Sequence, residues 1–523
     1  MMHDLEEIKI AINNGSYSES KKYLINIIKK DSNNFEALYL LGICQESIAD
    51  YSSSIKTYKK LLKQDNYPTV NNRLGKIYLK INKFKLAKKH LEQSLAINSK
   101  APDIQNTLGV VLVYLQQESL AINYFKEALN LNNNFVDPIY NLLEIYEKSN
   151  DFENLKKLVL KNYKIFPKNK IILFYYADII EKNGNLKKAC NILNQISFDS
   201  ENREWEVKKE YKLGDIYHKL NQYNKAFKAY EKANQITLKN INNSHFKNNI
   251  FIKELDRYLL NFPTKFNKIN ITKKFSFDLF FLVGFPRSGT TLLDTILSSH
   301  LSVKVIEEQP LIENVFKRLK TNVLKDISKD NVEQAHDLYL DELKKIINIK
   351  SVNQKVLIDK LPLNLVKIKI IHQLFPSAKF IFAIRHPFDC ILSSFFQNFT
   401  LNTAMINFLD LDRTAYVYDR VMQIWKNCDD INKDKIHFIK YEDVTNDFDQ
   451  TIKKLIIFLN LKWDKNIEFF YKTARKKKRI RTPSYRQVIS PIYKSSNFKY
   501  LKYEMKLKNI KPLIDKWVKY FNY

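Results

Sequence analysis

The chain has 523 residues but only 8 glycines and 4 cysteines, so each glycine and each cysteine needs a reason. Cys44, Cys190, Cys390 and Cys428 lie far apart, with no CxxC pair and no Cys/His ligand spacing, which argues against a disulfide framework and against a zinc site. No uninterrupted apolar run reaches the ~18 residues of a membrane span. The opening MMHDLEEIKIAINNGS is acidic and amphipathic, unlike a signal or transit peptide. A soluble, cytoplasmic protein without a transmembrane segment is expected. Negative charge is also scarce, with 56 acids against 86 bases and a net charge of +30. The lysines are spread through nearly every segment among Asn and Ile, which reads as general composition. A nucleic-acid face is therefore disfavoured, while a basic cleft for a phosphorylated small molecule stays open. Apolar residues are plentiful, at 45% hydrophobic and 13% aromatic, and exclude wholesale disorder.

The glycines show the first organisation. Gly42, Gly75 and Gly109 are 33 and 34 residues apart, and further steps of 34 reach Leu143 and Ala177 before Gly214. Twelve residues behind them a second, mostly small position recurs at Ser20, Ser54, Ala87, Ala121, Leu155, Ala189 and Ala226. Around these positions, in stretches such as NNRLGKIYLK and LAKKHLEQSLAIN, apolar residues fall at i, i+3, i+4 and i+7. This is the pattern of helix pairs that cross closely where side chains are small. The units resemble tetratricopeptide repeats, about seven of them in residues 1–240. They imply an all-helical solenoid that binds a protein or peptide partner, with a bare scaffold or dimerisation surface as the alternative.

Past residue 240 the period is lost, and residues 241–275 read as a polar linker and a bridging helix. From 276 to 523 the short apolar runs FDLFFLVGF, VKVIEE, KVLIDK, KFIFAIRH and KIHFIKYED alternate with amphipathic stretches. Buried strands separated by helices predict an α/β domain with a parallel sheet covered on both faces. Ligands of such sheets bind at the carboxyl ends of the strands. That edge would collect the 284–289 loop, Glu307 and Glu308, Asp359 and Lys360, Arg385 and His386, and Tyr441 to Asp443.

Gly284 and Gly289, the only glycines after residue 240, bracket GFPRSG with the spacing of a phosphate-binding P-loop. Thr290 and Thr291 stand where that motif carries Lys and then Ser or Thr, and Arg287 lies inside the loop. The missing lysine disfavours ATP and GTP, and favours a nucleotide whose reactive group is one phosphate from the ribose. GFPRSGTTLLDTILSSH resembles the 5′-phosphosulfate loop of sulfotransferases, and AIRHPFDCILSSFFQNF resembles their 3′-phosphate segment. PRSGTTL followed by the 307–308 EE pair, the Lys-x-Pro of DKLP and the late Ser-x-x-Gln-Val are similar to protein-tyrosine sulfotransferases.

This resemblance, over residues 276–500, implies a P-loop-like sulfotransferase domain that uses 3′-phosphoadenosine 5′-phosphosulfate as co-substrate without a metal. It implies that Arg287, Ser288, Gly289, Thr290 and Thr291 hold the 5′-phosphosulfate, Arg385 and Ser393 the 3′-phosphate, and Tyr441 the nucleotide. Glu308 would be the general base, with Glu307 beside it, and Lys360 the cation on the bridging oxygen of the leaving group. Arg287 would also stabilise the moving sulfuryl group, and Ser484 would close over the donor in a lid that follows the basic run Arg475 to Arg481. A histidine base is disfavoured, since His386 follows Arg385 on the phosphate side and His372 lies inside an amphipathic helix. The acceptor hydroxyl stays open between a protein tyrosine and a glycan or small molecule. A P-loop kinase, and a repeat-based adaptor with an inactive transferase domain, are the competing functions.

Overall fold

The structure, a computed structural model, describes residues 4–65, 67–241, 249–261, 275–319, 327–347, 355–428, 431–476 and 497–523. Ser484 and residues 477–481 of the basic run lie outside them. The chain divides into two compact units, residues 1–165 and 166–523.

The first unit is built from helix pairs: Leu5–Asn13 with Tyr17–Lys30, Phe35–Ser47 with Tyr51–Leu62, Pro68–Lys80 with Phe84–Ile97, Pro102–Tyr114 with Glu118–Leu131, and Asp137–Lys148 with Phe152–Ile165. The repeating glycines do what their spacing predicts. A β-carbon on Gly75 would lie 2.5 Å from Leu91, and one on Gly109 would lie 2.5 Å from the Phe125 ring, each on the second helix of its own pair. The Ser54 hydroxyl donates to the Gly42 carbonyl at 2.9 Å across another pair. A further marker with the same period appears at the turns. Ala49, Asn82, Gln116 and Asn150 all adopt left-handed backbone with φ of 58° to 61°, and each ends the first helix of its pair.

The second unit opens with two more pairs, Lys170–Lys182 with Leu186–Gln195 and Arg203–Lys219 with Tyr223–Asn240, followed by the helix Ile250–Asn261. Five strands come next: β1 (Asp278–Gly284), β2 (Val303–Glu307), β3 (Val356–Lys360), β4 (Lys379–Ile384) and β5 (Ile436–Lys440). They form one sheet in the order β2-β3-β1-β4-β5, with every neighbouring pair parallel. All carboxyl ends therefore share one edge.

Alternation along the strands feeds two cores. Phe280, Leu282, Ile358 and Ile381 pack against the helices Thr290–Leu297 and Phe448–Phe458. Phe281, Val283, Leu357 and Phe382 face the other way, into a core that takes in Ile391, Phe395, Val421 and, from the last helix pair, Phe227 and Tyr230. Burial on both faces explains why the three central strands β3, β1 and β4 read as continuous apolar runs. Among the described residues no helix is long and apolar enough to cross a membrane.

Candidate functional site

β1 ends at Gly284, whose missing side chain makes room for its neighbours. A β-carbon there would lie 2.6 Å from the Ala383 carbonyl oxygen on β4 and 2.7 Å from the Ser288 hydroxyl. The loop then turns through two left-handed residues, Arg287 (φ 69°) and Gly289 (φ 96°), and Gly289 caps the helix Thr290–Leu297. The Tyr441 ring covers Gly289, 2.7 Å from where a β-carbon would stand. Ser288, Thr290 and Thr291 are all buried, and the Ser288 hydroxyl has no partner among the described residues. A buried hydroxyl left unmatched beside a helix N-terminus, where the first amides also lack intrahelical partners, suits an anionic oxygen.

Lys360 ends β3, in register with Leu282 of β1 and Glu307 of β2. Its side chain is fully buried, and its ammonium lies 2.7 Å from Glu308 Oε1, 3.8 Å from Glu307 and 3.9 Å from Asp294. Glu308 follows β2 with a left-handed backbone (φ 48°), and its amide donates to the Lys360 carbonyl at 2.8 Å. That turn carries its carboxylate off the strand direction and onto the lysine, while leaving it partly exposed. The residues expected to be base and leaving-group cation thus form one ion pair, with Asp294 as an acid missed in sequence. Its signal was a lone carboxylate inside the apolar stretch TTLLDTIL.

On the other side of the loop, β4 delivers Arg385 into the interior. Its Nη1 donates to the Arg287 carbonyl at 3.3 Å, Nη2 lies 3.7 Å from Asp389, and the guanidinium stands 4.8 Å from the centre of the Tyr441 ring. Arg287 Nε donates to the Ser393 hydroxyl at 3.0 Å, so two residues expected at opposite ends of the nucleotide meet here. Ser393 lies on the helix Pro387–Phe395, whose first position is the proline. Burial pushes the Asp389 carboxyl up to about 6 against the pull of Arg385.

Sequence reading missed Lys499. Burial lowers its ammonium to about 8; Arg385 and Arg287 push the same way, and Asp215 and Asp389 oppose them. It is a third cation in the field of the Arg287–Ser393–Arg385 group. Nothing in NFKYLKY, within a lysine-rich chain, singles it out. The two histidines considered as bases in the sequence are held among aromatic rings. The His386 ring stacks on Tyr500 at 4.2 Å, and burial with the nearby Arg385 lowers it to about 4, so it is neutral at pH 7. His372 lies in the helix Ile368–Leu374, its ring 6.3 Å from that of Phe380 near the start of β4.

Residues 280–465 match the Sulfotransferase family. The second unit carries a sulfotransferase-family domain. Residues 5–70 match a tetratricopeptide repeat family, and residues 78–241 match the Iml2/tetratricopeptide repeat protein 39 family. An uncharacterized protein of Aquifex aeolicus is 27% identical over 318 residues, which is 58% of this chain and 40% of that protein. The protein-tyrosine sulfotransferase of Drosophila melanogaster is 27% identical over 205 residues, covering 36% of this chain and 38% of the fly protein. The chain thus spans 40% or less of the length of these two relatives. Among solved structures, a tetratricopeptide repeat protein from Parabacteroides merdae aligns with 47% of this chain and 94% of its own, at 15% identity and a TM-score of 0.37.

Proposed function

We propose that the sulfotransferase domain moves a sulfuryl group from 3′-phosphoadenosine 5′-phosphosulfate to a hydroxyl, with Glu308 as general base. One observation carries this reading: at a single sheet edge the Lys360–Glu308 pair adjoins a glycine loop whose buried Ser288 hydroxyl awaits a partner. The donor supplies an activated sulfuryl group on a phosphate leaving group, and the protein supplies position and charge. Ser288, Thr290, Thr291 and the amides of the helix they open hold the 5′-phosphate oxygens. Arg385, Ser393 and Lys499, with Arg287 between the two ends, hold the 3′-phosphate.

Glu308 takes the acceptor proton. Lys360 has three N–H donors, so it can stay bonded to Glu308 and still turn a proton toward the bridging oxygen as negative charge builds there. Glu307 and Asp294, 3.8 and 3.9 Å from that ammonium, offset the cost of burying its charge. Thr290 in place of a phosphate-reaching lysine weighs against a kinase.

The acceptor is read as a protein tyrosine. Support comes from the name of the fly relative, from the Glu307–Glu308 pair and from the helix pairs, which suit a polypeptide. The test is transfer of labelled sulfuryl by the full chain to tyrosine peptides and, in parallel, to sugars. Label on tyrosine supports the reading, label on sugars alone overturns the acceptor, and no transfer with either overturns the reaction.

A further inference from the structure

The last helix pair of the array is bonded to the part of the domain that carries Ser393 and Lys499. Tyr230 stacks on Phe396 at 4.0 Å, just past the end of the Ser393 helix. Asn234 is buried, and its Nδ2 donates to the Phe395 carbonyl at 3.0 Å. Its Oδ1 accepts from the Tyr211 hydroxyl, which also reaches the Gln397 carbonyl at 3.3 Å. Asn234 therefore satisfies the carbonyl of the last residue of the Ser393 helix, which no intrahelical amide can reach, and Tyr211, whose one proton lies between Asn234 and Gln397, braces the turn just past it.

The second link runs to Lys499. Its ammonium stands 5.5 Å from the centre of the same Phe396 ring on which Tyr230 stacks. The Tyr230 hydroxyl donates to Asp215 Oδ1 at 2.6 Å. Through Tyr230 and the Phe396 ring, Asp215 is tied to the surroundings of Lys499, and its negative charge acts there against burial, Arg385 and Arg287. His218, on the same helix as Asp215, has Nδ1 2.7 Å from the Tyr503 hydroxyl and so ties down the turn Lys499–Lys506.

We infer that the helix pair Arg203–Lys219 and Tyr223–Asn240 is a positioning element of the donor site, with Asn234 and Tyr211 setting the Ser393 helix and Asp215 setting Lys499. This rests on the reading of that site as the 3′-phosphate subsite. The repeats nearest the sheet are then part of the transferase itself and decide how well it distinguishes a nucleotide bearing a 3′-phosphate from one without.

The test measures the affinity of the full chain for adenosine 3′,5′-bisphosphate and for adenosine 5′-phosphate, in wild type, Asp215→Asn, Tyr211→Phe and Asn234→Leu. Asp215 is exposed and asparagine keeps an oxygen for the Tyr230 hydroxyl, so this variant is expected to fold even where the buried ones do not. The expected result is a loss of about tenfold for the bisphosphate, the scale of one charge-assisted hydrogen bond, with the 5′-phosphate unchanged. A purely structural role would weaken both nucleotides alike, and that outcome, or no change in either, overturns the inference. A wild type that binds both equally overturns the reading of the subsite along with it.

Discussion

Glu308 and Lys360 are 52 residues apart in sequence yet share a 2.7 Å ion pair, and the proposed chemistry depends on their dividing two tasks. Glu308→Gln keeps the shape and removes the base. Its expected effect is a fall in kcat of roughly 10²–10⁴, the usual worth of a general base, with the affinity for adenosine 3′,5′-bisphosphate unchanged. Lys499 supplies the pH dependence. Its ammonium is lowered to about 8, so in the free protein it loses its charge as pH rises through that value. Bisphosphate affinity should therefore weaken above pH 8 in wild type and stay flat there in Lys499→Arg, as titration calorimetry across pH 6.5–9.5 would show. Identical profiles for the two proteins would remove Lys499 from the subsite.

Legibility at this scale followed local pattern. Arg287, Glu308, Lys360, Arg385 and Ser393 sit next to apolar runs that end at one edge, so sequence could bring them together. Lys499, Asp215 and Asn234 act through long-range packing between helical segments rich in Lys and Asn, where no spacing distinguishes them.

Among the elements, the strand-to-helix turn at Gly284–Gly289 depends on backbone that other residues resist. Gly289 combines φ of 96° with a Tyr441 ring 2.7 Å from its would-be β-carbon, whereas Gly184 has a similar φ of 87° and nothing within 4 Å. Gly289→Ala should abolish nucleotide binding. Gly184→Ala should cost about 1 kcal/mol of stability, the price of left-handed backbone alone, and leave binding intact. Calorimetry and thermal unfolding of the two variants check the contrast, and equal binding by both would contradict the packing account.

The helix pairs were readable because close crossings demand small residues at a fixed period, as Gly75 under Leu91 and Gly109 under Phe125 show. The strands were readable as apolar runs too short for helices. Their order, with β1 between β3 and β4, was not readable, because strands buried on both faces carry no mark of which neighbour they pair with.

Over the whole molecule, the compact unit that holds the sheet begins at residue 166, before the last two helix pairs. Its core joins Phe227 and Tyr230 to Ile391 and Phe395. Nucleotide binding should therefore slow amide exchange in the helix Tyr223–Asn240 as well as in the loop 284–289, and protection confined to the loop would contradict a shared core.

The proposed reaction requires a site for a nucleotide with a 3′-phosphate and a 5′-phosphosulfate. Calorimetric titration of the full chain with adenosine 3′,5′-bisphosphate, with ATP, and of Arg385→Ala with the bisphosphate, tests it most directly. The expected result is micromolar bisphosphate binding that is lost in the variant and absent for ATP. Binding of ATP as tight as that of the bisphosphate, or bisphosphate binding untouched by the loss of Arg385, would contradict it.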